Sequence, residues 1–211
     1  MVSYPSRNPL EYRPECKRHY TIPLKRPGRI LIRRTVPRGT RFIGGTKELL
    51  DGVQAKLKIT PNMTRVMANS PAVLQAYLSF SSALAGGALD AKLREQIALE
   101  VGEQNACQYC VSAHTAIGRM VGLSDPEIAA ARGAASSSPK NTAALEFARQ
   151  LVAKRGLATD ADIEAVRRVG FTDAEIAEII AHVALNIFTN YFNNTAGVEV
   201  DFPKVALRQS A

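Results

Sequence analysis

From about Thr46 onward, apolar residues recur at three- and four-residue intervals, and the residues between these runs are helix caps. Ser70-Pro71 predicts an N-cap followed by a proline in the first turn, with Val73, Leu74, Tyr77, Leu78 and Leu84 on one stripe. Asp90 predicts the start of a helix running to about Gln104. The next helix spans Cys107 to Val121 and is stopped by Gly122. Ser124/Glu127 and Thr172/Glu175 have the spacing of capping boxes, and Gly170 ends the helical stretch between them. The last helix carries Ile176, Ile179, Ile180, Val183, Ala184, Ile187, Phe188, Tyr191 and Phe192, the strongest 3.6-residue repeat in the chain. On that helix His182 falls about 110° from the centre of the apolar stripe, which predicts an edge or solvent-facing position. Asn190 falls about 30° from it, which predicts a buried amide bonded to another helix. No strand pattern follows residue 45. The body is expected to be all-α.

Residues 1–45 have a different texture. They hold six of the 11 prolines and 11 Lys+Arg against two acidic residues, while the rest of the chain has 16 basic and 17 acidic residues. The formal net charge of +8 therefore belongs to this stretch alone. Proline removes backbone donors and like charges repel, so residues 1–45 read as a basic, poorly ordered Pro/Arg-rich extension. Only Ile30 and Ile32, alternating with charges, suggest a short strand there. The helical domain is then 46–211. Its near-neutral balance offers no footprint for nucleic acid. No apolar run approaches the ~20 residues of a membrane span, and the N-terminus lacks an apolar signal core, so a cytoplasmic setting is expected.

The chain has three cysteines, too few for a disulfide-stapled scaffold. Cys16 lies in the basic extension and is assigned no role. The other two form Cys107-x-x-Cys110, with His114 following at helical spacing. At about 100° per residue the three directions span about 60° of a helix circumference. Two thiols one turn apart can close a disulfide, and a histidine on their face can move a proton near neutral pH. Three other readings compete with a redox one. Two buried core cysteines need no chemistry. A structural zinc needs a second ligand pair, and residues 46–211 contain no further cysteine. Haem attachment needs histidine where Val111 stands. A redox dithiol fits the grouping best. Glu95, Glu100 and Glu103 are all close enough in sequence to be the carboxylate that orients His114. Leu93, Ile97 and Val101 form an apolar stripe that leaves Glu95 on the opposite side of its helix.

Glu95, then eleven residues, then Cys107-x-x-Cys110-x-x-x-His114 resembles the AhpD alkylhydroperoxidase signature of the carboxymuconolactone decarboxylase superfamily. The resemblance runs from about Met63 to Pro203. It takes in the Phe188–Asn194 stretch and the Val200–Pro203 stretch, which are similar to a subgroup of peroxidase-related members. It implies an all-helical AhpD-like bundle that assembles as a homo-oligomer. It also implies a thiol peroxidase in which Cys110 attacks the hydroperoxide, Cys107 resolves, Glu95 and His114 relay protons, and an external dithiol resets the pair. No cofactor or metal is implied. Tyr109 departs from the best-known members, which have a histidine inside the Cys-x-x-Cys. The superfamily's decarboxylases generally lack the dithiol, so lactone decarboxylation is not the expected inheritance.

Overall fold

The computed structural model of the protein describes residues 45–208, so Cys16, the Ile30–Ile32 segment and nearly all of the basic extension lie outside the described residues. Among the described residues there are nine helices and no strand. They are α1 (Thr46–Leu57), α2 (Asn62–Met67), α3 (Pro71–Ala85), α4 (Ala91–Gln104), α5 (Gln108–Met120), α6 (Asp125–Ala131), α7 (Pro139–Ala153), α8 (Asp160–Arg168) and α9 (Asp173–Ala196). None of them is long and apolar enough to cross a membrane.

The expected starts are where the caps are. Ser70 accepts from Val73 N and Asp90 from Leu93 N, and both halves of the Ser124/Glu127 and Thr172/Glu175 capping boxes are made. The stretch between the two boxes is three helices. Ser138-Pro139 repeats the signal of Ser70-Pro71, and Thr159/Asp162 is a capping box with aspartate in the third position.

Helix α4 is the axis of the bundle. Its residues from Gln96 to Gly102 are all buried, and it packs on α5, α6, α7 and α9. Two apolar clusters flank it. One joins Leu93, Ile97 and Leu99 to Leu145 and Phe147 of α7, Val166 of α8 and Ile176, Ile179 and Val183 of α9. The other gathers Leu50, Met63, Val66, Met67 and Leu74 around Cys107, Tyr109 and Cys110. Burying such side chains stabilises by about 1.5–3 kcal/mol each, so the second cluster holds the cysteine turn in place.

Helix α9 departs from the expected single stripe. Ile176, Ile179 and Val183 are buried, but Ile180, Phe188 and Tyr191 are 39–59% exposed. Its second half buries Asn186, Thr189, Asn190 and Asn193 instead. Most of their polar atoms find partners, while Asn190 Nδ2 and Asn193 Oδ1 have none among the described residues. Asn186 donates to the carbonyl of His182, Thr189 donates to the carbonyl of Asn186, and Asn190 Oδ1 accepts from Asn105 at the end of α4 at 3.0 Å. The helix–helix hydrogen bond expected of Asn190 is therefore present.

The edge position expected of His182 is not. His182 is only 6% exposed, because α9 turns this residue toward α4, and its Nε2 has no partner among the described residues. Burial lowers its pKa from 6.5, Arg94 adds to this, and Glu178 and Glu95 oppose it. The unfolded chain therefore binds the proton more readily than the folded one. Stability from this group is complete above pH 6.5 and is lost as pH falls through the lower folded value. His182→Leu should flatten the pH dependence of the urea midpoint in that window. The Glu178 carboxylate, lowered from 4.5 by the N–H groups of Ala88 and Leu89, acts at more acidic pH. An unchanged slope in the variant would show that His182 stays hydrated.

Gly197, in the left-handed region at φ 57°, ends α9. Residues 198–208 then run without helix back over the first turns of α5. Val205 N donates to Ser112 Oγ at 3.0 Å, Arg132 holds the Ala206 carbonyl, and Glu103 accepts from Arg208 N.

Candidate active site

Cys107 is the N-cap of α5, and its Sγ accepts a hydrogen bond from Cys110 N at 3.2 Å. The two cysteines are joined as a disulfide. Ala106, at φ 48°, turns the chain between α4 and α5 within three residues. Gly102 lets the two helices close up. A Cβ there would lie 3.3 Å from Val111 Cγ2 and 3.6 Å from Cys110 Cβ. The sulfurs thus sit where the first N–H groups of a helix converge, a setting that favours thiolate over thiol. Both residues are nearly sealed, at 0% and 2% exposure.

The choice among the three glutamates is settled by geometry. Glu95 Oε2 lies 2.7 Å from His114 Nδ1, and the two side chains keep 17% and 22% of their surface. Glu100 is fully buried on another side of α4, where it pairs with Arg149 at 2.8 Å and accepts from Gln104. Glu103 pairs with Arg132. The carboxylate–imidazole pair orients the ring and leaves its second nitrogen for chemistry one turn beyond Cys110. Tyr77 of α3 borders the same carboxylate. Desolvation, with Glu95 behind it and opposed by Ser81, pushes its hydroxyl up to about 12, so it stays a protonated donor at neutral pH.

Tyr109 packs against α2 and the 198–208 segment. Its hydroxyl accepts from Met63 N at 3.2 Å, and its ring meets Phe202 edge-on at a centroid distance of 5.8 Å. Burial, reinforced by Asp201, raises its pKa far above the ordinary phenol value. The residue inside the Cys-x-x-Cys therefore pins α2 and the 198–208 segment to the site.

Asn193 was not singled out by sequence reasoning. Its Nδ2 reaches Cys110 Sγ and Met63 Sδ, each at 3.3 Å. The available signal was its place three residues after Asn190, on the same helix face. Among the described residues, no group of three or more His, Cys, Asp or Glu side chains is arranged to hold a metal ion.

Residues 71–154, which include α4, the Cys-x-x-Cys and His114, match the carboxymuconolactone decarboxylase family. A crystal structure described as an AhpD-core, peroxidase-related protein from Ralstonia eutropha superposes with a TM-score of 0.69 at 29% identity, covering 74% of this chain and 85% of that one. The family match therefore lies on the stretch that holds the cysteine pair, and the fold around it is that of AhpD-like, peroxidase-related proteins. Two further solved structures agree with the AhpD-like architecture. A peroxidase-related protein from Silicibacter gives a TM-score of 0.70 at 24% identity, over 77% of this chain and 88% of that one. The debrominase Bmp8 gives 0.65 at 19% identity, over 74% of this chain and 86% of that one. At those identities the likeness speaks for fold alone. An uncharacterized protein of Haemophilus influenzae is 51% identical over 45 residues, 21% of this chain, and the match spans 40% of that protein's length.

Proposed function

We propose that this protein is a thiol-dependent peroxidase of the carboxymuconolactone decarboxylase superfamily that reduces hydroperoxides through Cys107 and Cys110. The reading is carried by one observation, a disulfide-forming pair at the start of α5 with a hydrogen-bonded Glu95–His114 pair one turn away. In the reduced protein, the Cys110 thiolate attacks the terminal oxygen of the hydroperoxide. The O–O bond breaks, Cys110 becomes a sulfenic acid, and the alkoxide leaves as the alcohol with a proton from His114. Cys107 then attacks the sulfenic sulfur, expelling water and forming the disulfide. An external dithiol returns two electrons and two protons. Glu95 holds the imidazole in place and compensates its charge when it is protonated. No cofactor enters the cycle, and a reducing, cytoplasmic setting would keep it running. A homo-oligomer is part of this reading, supported by the apolar residues that α9 leaves open.

The test is stopped-flow oxidation of the reduced protein by hydrogen peroxide and by a bulky organic hydroperoxide. Second-order loss of both thiols with one equivalent of peroxide is the expected result. Inertness to both peroxides, combined with rapid reaction with a disulfide substrate, would instead identify a thiol–disulfide oxidoreductase.

A further inference from the structure

We propose that Asn193 is a catalytic residue whose side-chain amide donates to Cys110 Sγ and holds that sulfur as the attacking thiolate. The proposal rests on Cys110 being the attacking sulfur. Asn193 is 3% exposed and is carried on α9, the helix that supplies the polar seam beside the cysteine turn. Its Nδ2 lies 3.3 Å from Cys110 Sγ and 3.3 Å from Met63 Sδ. A thioether, a disulfide sulfur and a thiolate can only accept, so the amide must turn its N–H groups toward them. The opposite flip would set carbonyl lone pairs against two sulfurs.

This orientation has a cost. Asn193 Oδ1 is buried without a partner among the described residues. A fold that tolerates this orphan keeps the donor aimed at sulfur, and a hydrogen bond to an anion is about twice as strong as one to a neutral group. The amide therefore favours the thiolate over the thiol. Asn193 also separates the two cysteines chemically. Cys107 Sγ receives the backbone N–H of Cys110, and Cys110 Sγ receives the Asn193 side chain.

The groups that face this turn are few. Helix α5 contributes Cys107, Tyr109 and His114, α4 contributes Glu95 behind His114, α3 contributes Tyr77, α2 contributes Met63, α9 contributes Asn193, and Asp201 of the 198–208 segment lies beside Tyr109. Of these, Met63 and Asn193 do not titrate, so replacing Asn193 changes the donor without removing a charge.

The experiment uses the full chain with Cys16→Ser and Cys107→Ser, which leaves Cys110 as its one thiol. The rate of iodoacetamide alkylation is followed from pH 5 to 10. Asn193→Ala should move the pH midpoint upward by about one unit and slow alkylation about tenfold below it. Asn193→Asp, nearly the same shape, should move the midpoint further because it places a carboxylate against the sulfur. If the alanine change unfolds the protein, the aspartate variant carries the test. Unchanged midpoints in folded variants, with only a lower melting temperature, would reduce Asn193 to packing and overturn the proposal. Alkylation reads the thiolate alone. A shifted midpoint in a protein inert to peroxide would sink the peroxidase reading and leave the role of Asn193 standing.

Discussion

Cys110→Ser should abolish peroxide consumption, while Cys107→Ser should consume one equivalent and stop at a sulfenic acid that a dimedone-type probe traps on Cys110. A serine hydroxyl in place of Cys110 has no accessible anion at neutral pH, so the nucleophile is lost outright. With Cys107 removed, the first step remains but no second thiol is within reach to form the disulfide. The structure makes the reverse order a fair contest. Cys107 is the residue at the helix cap, where the first N–H groups converge, and Cys110 lies inside the first turn. What favours Cys110 is its company, His114 one turn on and Asn193 at 3.3 Å. Mass spectrometry that finds the dimedone adduct on Cys107 in the Cys110→Ser protein would exchange the two roles.

The second large effect is expected at the relay. His114→Ala and Glu95→Gln should each slow oxidation of the dithiol by about 10²–10³-fold, the usual reach of a positioned acid–base group. The double variant should be little slower than the worse single one. Glu95 acts through the imidazole Nδ1 of His114 that it holds at 2.7 Å, so once the ring is gone the carboxylate has nothing to orient. Pre-steady-state rates for the three proteins decide the matter. Fully additive losses would mean that the two side chains act separately, and a folded Glu95→Gln protein with an undiminished rate would remove Glu95 from the mechanism.

The helices were legible because their caps are local. Ser70, Asp90, Ser124 and Thr172 each bind an N–H within three residues of themselves, so neighbouring sequence contains the whole signal. The cysteine pair and His114 were legible for the same reason. The partner of His114 was only weakly so, because it depends on how α4 and α5 are rotated about each other. That rotation follows from the left-handed turn at Ala106 and the contact at Gly102. Asn193 and His182 were harder still. Burial of a polar side chain depends on what another helix offers it, and the apolar repeat of α9 spreads over two faces, one of which remains open. A periodicity count weighs both faces alike.

The 198–208 segment bears on how fast the enzyme could be recycled. Reduction requires the incoming thiolate to line up with the S–S bond, and a sulfur with almost no surface offers a bulky protein dithiol no such approach. Val198, Val200 and Phe202 pack into the cluster that holds both cysteines, and Ser112, Glu103 and Arg132 tether the chain beyond them. Under saturating reductant, the proposed cycle would then turn over no faster than these tethers let go, a local-opening frequency rather than the reactivity of the thiols.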